Sequence, residues 1–190
     1  MSSFLDILNQ DLNPSPEIKA LKARIAVKSI KKGTVLQRSG DSIAQIYYVK
    51  KGLLRSYTID QKGKEHIFMF APEDWIIADG ADFASPCQLF IDVLEDSEIE
   101  VVDKKLFEEV YIPLTIESDK QRTAAMIKRI AVLQERVIML MSASAIERYE
   151  HFRATYPQII QRVPQRMVAS YLGITPEALS KVKSEKARSK

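Results

Sequence analysis

Three polar side chains near the C-terminus have the types and spacing needed to hydrogen-bond with the edges of base pairs. Glu177 precedes Ser180 by three residues and Lys181 by four, so all three share one face if this segment is helical. Glutamate can accept a hydrogen bond from cytosine N4, and lysine can donate to guanine O6 or N7. The alternative is a helical hairpin with a charged, solvated face, and the surrounding elements decide between these interpretations.

The three side chains belong to a segment, PQRMVASYLGITPEALSKVKSEKARSK, that has the pattern of a helix-turn-helix. Its first helix is predicted over residues 164–172, where Ala169 is small at the point where a second helix must cross closely. Gly173 is predicted to end that helix, because this position favours a left-handed backbone. Thr175 is a suitable N-cap for the second helix, and Pro176 suits its first position, which needs no N–H. The apolar positions that pack the two helices together are Val168, Leu172, Ile174, Leu179 and Val182.

The distribution of charge indicates that only the back half of the chain meets a polyanion. Residues 1–112 carry 14 Lys and Arg against 18 Asp and Glu, a net charge of −4. Residues 113–190 carry 14 against 7, a net charge of +7. The alternative is a solvated basic face, so charge alone does not decide. Together with the helix-turn-helix pattern, it predicts that double-stranded DNA is the partner and that Lys183 and the basic tail meet phosphates. The predicted DNA-binding residues are Thr175, Glu177, Ser180, Lys181 and Lys183.

A long helix is predicted before this motif, over residues 113–145. Its apolar positions step alternately by four and three residues, which is the spacing of a coiled-coil seam. Packing within its own subunit is the alternative, but so regular a seam favours a second copy of the chain. We therefore predict a homodimer whose interface contains Met126, Ile130, Leu133, Val137 and Leu140.

The front half has a different pattern, in which short strands are separated by glycine turns. The strand-like segments are RIAVKSI, TVLQ, IYYVKK, LLRSYTI, EHIFMFA, FIDVLE and EIEVVD. Glycines at 33, 40, 52 and 63 supply the turns between them. Regular short strands of this kind favour an antiparallel barrel or sandwich, with two short N-terminal helices packed against it.

Two long stretches resemble the cyclic-AMP receptor protein/fumarate-nitrate regulator (CRP/FNR) family. KKGTVLQRSGDSIAQIYYVKKGLLRSYTIDQKGKEHIFMFAPEDW has the family's glycine spacing, and ERYEHFRATYPQIIQRVPQRMVASYLGITPEALSKVKS resembles its C-terminal motif, particularly that of a Bacteroidetes-type branch. The resemblance implies an α+β fold: an N-terminal double-stranded β-helix, that is a cyclic nucleotide-binding-like β-roll, then a long dimerisation helix and a C-terminal winged helix-turn-helix that regulates promoters. The corresponding domains are residues 1–112, 113–145 and 146–190.

The resemblance also implies roles for individual residues of the second helix. Glu177 and Lys181 fall where the family's glutamate and second arginine read bases. The family's first arginine is replaced by Pro176, so the operator sequence is expected to differ. RNA polymerase is a further candidate partner by the same resemblance.

The resemblance places an effector pocket in the β-roll. Family members that bind cyclic AMP carry a Gly-Glu pair, followed about ten residues later by an Arg-Ser pair. Ala78 and Asp79 stand at the first pair, and the second falls either at Pro86 and Cys87 or at Cys87 and Gln88. No arginine occurs between residues 56 and 121, so the pocket lacks the guanidinium that would pair with a cyclic phosphate. We do not expect cyclic AMP to bind, and the candidate lining for an unidentified effector is Ala78, Asp79, Cys87 and Gln88.

Other functional classes have little support in the sequence. A single cysteine excludes an internal disulfide, a cysteine-ligated zinc site or an iron–sulfur cluster within one chain. No nucleophile motif or glycine-rich phosphate loop is found, so no catalytic or metal-binding residue and no cofactor is predicted. No signal-type or membrane-length apolar segment occurs, so a cytoplasmic location is expected. The competing hypothesis is a ligand-binding β-roll that acts through protein partners without specific DNA binding.

Overall fold

The computed structural model divides the chain into two compact units. One comprises Met1–Asp60 and Phe68–Glu117, and the other Gln61–Ile67 and Ser118–Lys190. The residues that the structure describes are 3–5, 16–42, 45–79, 85–103, 107–108 and 119–188.

The described residues between 16 and 103 contain a short helix and two antiparallel sheets. Helix α1 (Pro16–Arg24) is followed by β1 (Ala26–Ile30), β2 (Val35–Gln37), β3 (Gln45–Lys51), β4 (Leu54–Ile59), β5 (Glu65–Ala71), β6 (Ile76–Ala78), β7 (Phe90–Val93) and β8 (Ser97–Asp103). The sheet orders are β1-β8-β3-β6 and β2-β7-β4-β5. This β-roll and the helices that follow it confirm the predicted α+β class.

Seven of these strands fall in the predicted segments, and the turns between them need glycine for a physical reason. Gly52, between β3 and β4, has φ 100°. A Cβ there would lie 2.1 Å from Ser97 Oγ, so neither the backbone conformation nor the space admits a side chain. Strand β6 was not predicted.

The β-roll has apolar side chains between its sheets and a second cluster on an outer face. The inner cluster includes Tyr47, Val49, Leu54, Ile91 and Ile99. On the outer face, Phe4 and Leu5 are buried against Ile46, Tyr48 and Val102. The Phe4 amide donates to Glu100 Oε2 at 2.7 Å, which fixes the N-terminal segment. The apolar residues at helical spacing in the predicted N-terminal helix are Phe4, Leu5, Leu8 and Leu12. Packing against the β-roll is confirmed for Phe4 and Leu5, and Leu8 and Leu12 lie outside the described residues.

A buried ion pair joins two neighbouring strands of the second sheet. Arg55 on β4 and Asp92 on β7 are partners in register, with Nε to Oδ1 at 2.8 Å and Nη2 to Oδ2 at 2.9 Å. Both residues are buried, and the Arg55 guanidinium lies 4.1 Å from the centroid of the Tyr57 ring. Sequence reasoning missed this pair, because only the strand order brings two residues 37 apart together.

The second unit is helical in its described residues from 119 onward. It contains α2 (Asp119–Ser142), α3 (Ala145–Thr155), a 3₁₀ turn (Ile159–Gln161), α4 (Gln165–Leu172) and α5 (Pro176–Arg188). No strand occurs between residues 119 and 188, so these residues do not form the wing that the family resemblance implies. None of the described helices is long and apolar enough to cross a membrane.

The segment QIIQRVP, which has the sequence pattern of an extended connection, instead contains the 3₁₀ turn. Ile159 and Val163 are both buried. An extended chain would place them about 13 Å apart. A turn brings both into one small core, and the Arg162 amide closes it by donating to Ile159 O at 2.9 Å.

That core is built around three aromatic rings. Phe152 lies 5.4 Å from Tyr156 and 5.2 Å from Tyr171, and the two tyrosine rings are 5.5 Å apart. Burial raises the pKa of Tyr156 above its usual range, with the neighbouring Tyr171 adding to the shift. The predicted packing positions of α4 and α5 are buried against each other: Val168, Ala169, Leu172, Leu179 and Val182.

Candidate functional site

The turn between α4 and α5 has the geometry that the sequence predicts. Gly173 has φ 66°, and the next amide, that of Ile174, donates back to Ala169 O at 3.0 Å. Thr175 Oγ1 accepts from the Ala178 amide at 3.2 Å, which caps α5 at its N-terminus. The helix-turn-helix is therefore set by local residues, and it determines which face of α5 remains open.

The open face of α5 carries the polar side chains singled out above. Leu179 and Val182 are buried, whereas Glu177, Ser180 and Lys181 are exposed. Hydrogen bonds from its own backbone amide and from Thr175 lower the pKa of Glu177, so its carboxylate is ionised at neutral pH. An ionised carboxylate is the form that accepts from cytosine N4.

Lys181 is an accessible cation on this face. Its side chain is 78% exposed, and Nζ lies 3.9 Å from Glu185 Oε1, one helical turn further on. An exposed pair at this separation is weak, so Lys181 can exchange this partner for a base at little cost.

The structure also shows which positions of α5 share the open face. Ser184 and Arg188 follow Glu177 by seven and eleven residues and are both exposed, so they continue the same face. Sequence reasoning did not include Ser184, although helical spacing could have found it. Lys183 is half-buried on the flank of the helix, away from the centre of this face. That position suits contact with a phosphate of double-stranded DNA beside the major groove.

Helix α2 exposes an apolar face wider than the predicted seam. Ile130 and Val137 are 63% and 54% exposed, and Leu133 and Leu140 are 40% and 37% exposed. The side chain of Met126, and residues 113–118 of the predicted helix, lie outside what the structure describes. Large apolar side chains beyond the prediction are also exposed: Ile127, Ile138 and Met141. A helix with half its circumference apolar and open needs a partner, and spacing alone did not show this width.

The candidate effector residues come together, but their polar groups are turned toward the chain itself. Asp79 is 3% exposed, and its Oδ2 accepts from the Gln88 amide at 2.6 Å and the Leu89 amide at 2.9 Å. Gln37 Nε2 is 3.3 Å from the same oxygen. Two adjacent amides converging on one oxygen form an anion-binding arrangement, and here the anion is a carboxylate of the protein.

The neighbouring positions fit this interpretation. Cys87 is buried, and its amide and carbonyl bond to Asp41 O and to the Gly40 amide, each at 2.8 Å. Ala78 is half-buried on β6, and only Gln88 is exposed. Residues 80–84, between the two halves of the predicted pocket, lie outside the described residues.

We expect Asp79→Ala to lower the free energy of unfolding by about 1–3 kcal/mol, because the amides of Gln88 and Leu89 lose the buried oxygen that accepts from both. Urea unfolding followed by tryptophan fluorescence at Trp75 measures this change. Asp96→Ala is the matched control, since Asp96 accepts from Lys31 and Lys32 on an exposed surface, and its effect should be smaller. Equal losses from the two substitutions would contradict the role given to Asp79.

Comparison with known proteins finds relatives over most of the chain. Residues 27–112 match the family model described as cyclic nucleotide-binding domain. The chain is 27% identical over 175 residues to the anaerobic regulatory protein of Haemophilus influenzae, covering 82% of this chain and 64% of that protein. It is 25% identical over 166 residues to the fumarate and nitrate reduction regulatory protein of Vibrio cholerae, covering 82% and 66%.

The fold is similar to that of FixK2 from Bradyrhizobium japonicum, with a TM-score of 0.73 at 18% identity, covering 87% of this chain and 85% of that one. The chain spans less than two thirds of the length of the two curated relatives. By sequence, the chain is therefore similar to regulators of the CRP/FNR type, and its residues 27–112 are similar to a cyclic nucleotide-binding domain.

Proposed function

We propose that the chain is a homodimeric, sequence-specific DNA-binding transcription regulator. The observation that carries this proposal is the division of α5 into two faces. Leu179 and Val182 hold the helix to its own core, and the opposite face presents an ionised Glu177 beside Ser180 and the accessible Lys181. A helix that is fixed on one side and carries base-reading groups on the other suits the major groove.

In this proposal Glu177 and Lys181 read base edges, while Thr175 and Ser180 contribute hydroxyl contacts at the same end of the helix. Lys183, on the flank, binds phosphate. Arg166 is exposed in the first turn of α4, where the first helix of such a motif crosses the DNA backbone. It is an additional phosphate contact that sequence reasoning did not include.

The dimer follows from the open face of α2. Two copies that pair along this face would carry two copies of α5 into successive major grooves about 34 Å apart. The operator would then be a palindrome. RNA polymerase is the proposed further partner and the cytoplasm the proposed location.

The β-roll is the proposed sensor of this regulator, with Ala78, Asp79, Cys87 and Gln88 at its effector site. The Asp79 carboxylate already occupies the two amides that would hold an anion, so cyclic AMP is not the proposed effector. Membership of the Bacteroidetes-type branch stays a prediction.

Selection of binding sites from random duplex DNA tests this function. The wild-type dimer should enrich a palindrome, and Lys181→Ala should relax the preference at one position in each half-site, at a cost of about 1–3 kcal/mol per good base contact. Lys183→Ala should weaken binding to all DNA sequences equally and reduce the salt dependence of that binding. Lys22→Ala, on the exposed α1, is the control and should change neither property.

The competing hypothesis makes an opposite prediction for the same experiment. A β-roll that acts only through protein partners would enrich no sequence and would bind DNA without a steep dependence on salt. Enrichment of a palindrome that is unchanged by Lys181→Ala would support DNA binding but contradict the role given to Lys181.

A further inference from the structure

The C-terminal end of α4 is held by two arginines that lie outside the helix-turn-helix. The last four carbonyls of a helix have no partner within it. Two of those in α4 accept from amides of the following turn. The other two belong to Tyr171 and Leu172. Arg136 Nη2, from α2, donates to Tyr171 O at 3.4 Å, and Arg148 Nη1, from α3, donates to Leu172 O at 3.1 Å.

Arg148 also binds the C-terminal end of α2. Its Nη2 donates to Leu140 O at 2.8 Å and its Nε to Ala143 O at 3.0 Å. One guanidinium thus connects the ends of two helices, and a positive charge is favourable at both because each C-terminus carries partial negative charge. A Cβ at Gly173 would lie 3.5 Å from Arg148 Nη1, so the guanidinium also lies directly against the turn of the motif.

Arg136 acts on the same helix end by a second route. Its guanidinium carbon lies 4.0 Å from the centroid of the Tyr171 ring, and Nη2 also donates to Ile67 O at 3.3 Å. The stacking and the two carbonyl contacts support the position of α4 against α2. The contacts of Arg136 are longer than those of Arg148, so Arg148 is the principal connection.

We infer that Arg148, supported by Arg136, is a positioning residue that fixes the helix-turn-helix relative to α2. In the dimer, it thereby sets the half-site spacing that two copies of α5 can bind. The inference rests on the proposed function. All three acceptors of Arg148 are main-chain carbonyls, and its planar fork of donors reaches them simultaneously, which a lysine ammonium cannot reproduce.

The first test measures affinity for a series of palindromes whose half-sites are moved apart by one base pair at a time. Each added base pair rotates the second half-site by about 35° and shifts it by about 3.4 Å. The wild-type protein should bind one spacing best and lose affinity steeply on either side. The affinity of Arg148→Met should be roughly tenfold lower at the best spacing, and it should vary less with spacing than that of the wild type. Arg148→Lys should fall between the two.

The controls separate positioning from folding. Affinity for DNA with a single half-site should be the same for Arg148→Met and wild type, because α5 itself is unchanged. Arg153→Met is the matched control, since Arg153 is exposed on the same helix. It should retain the wild-type profile. An Arg148→Met profile as steep as that of wild type would overturn the inference, whereas a wild-type protein that prefers no palindrome would overturn the proposed function.

The second test needs no DNA. Spin labels are placed at Val132→Cys and Ser184→Cys, two exposed positions on α2 and α5, in a Cys87→Ser background. Labelled chains are diluted with unlabelled protein, and the distance between the labels is measured. We expect a narrow distribution with Arg148 and a broad one with Arg148→Met at unchanged helix content. Equal widths would show that Arg148 does not fix the orientation.

Discussion

Replacing Val137 by glutamate is expected to convert the dimer into monomers and to reduce affinity for palindromic DNA at least about a hundredfold. Val137 is 54% exposed at the centre of the apolar face of α2, so pairing of two copies would bury it. The two-fold axis would then place two carboxylates close together in an apolar interface, and each must lose its hydration. Sedimentation equilibrium measures the dimer, and fluorescence anisotropy with a palindromic duplex measures DNA binding.

Val132→Glu is the matched control for this prediction. Val132 lies on the same helix and is 58% exposed, but its side chain points away from the face formed by Ile130, Val137 and Met141. The control should remain dimeric and bind DNA as the wild type does. If both variants dissociate, the helix is damaged in general. If neither does, the dimer is formed by another surface.

A second large effect is expected in the β-roll. Arg55→Met should lower the free energy of unfolding by about 3–5 kcal/mol, because it leaves the buried Asp92 carboxylate without its bidentate partner. Thermal and urea unfolding followed by circular dichroism measure the loss. Lys31→Met is the control, because it removes one partner of the exposed ion pair between Lys31 and Asp96, which has a similar length and lies in the same unit. It should lower the free energy of unfolding much less.

The double variant Arg55→Met, Asp92→Leu distinguishes the loss of a pair from the loss of packing. Removing both charges should recover much of the stability, because no unpaired charge then remains buried. If the double variant is as unstable as the sum of the single ones, the stability at this site comes from packing and not from the ion pair.

The helix-turn-helix could be predicted from the sequence because its determinants are local. A left-handed glycine, a threonine cap with a following proline, and apolar residues three and four apart specify two helices and their turn within a few residues. The open face of α5 follows from the same periodicity once Leu179 and Val182 are assigned to the core. The glycine turns of the β-roll could be predicted for the same reason, because a glycine favours a turn locally. The positive φ of Gly33, Gly40 and Gly63 agrees with this prediction.

The features that sequence reasoning missed depend on contacts between distant segments. Strand β6 is three residues long, and its pairing with β3 defines it, with Tyr47 opposite Ile77. QIIQRVP turns because Ile159 and Val163 must enter one core, and nothing in the segment itself opposes an extended chain. In the predicted pocket, the carboxylate of Asp79 accepts hydrogen bonds from the amides of Gln88 and Leu89. The sequence did not show this, because these amides reach Asp79 only when β6 and β7 are in place.

The sequence by itself thus determined the helix-turn-helix, the glycine turns of the β-roll and the polar residues of α5, because those properties depend on neighbours a few positions away. Only the tertiary structure decided which charges are buried and paired and which helix ends are joined. Arg55 meets Asp92 across 37 residues, and Arg148 meets Leu172 across 24. Such contacts depend on the packing of whole elements, which periodicity and spacing along the chain do not encode.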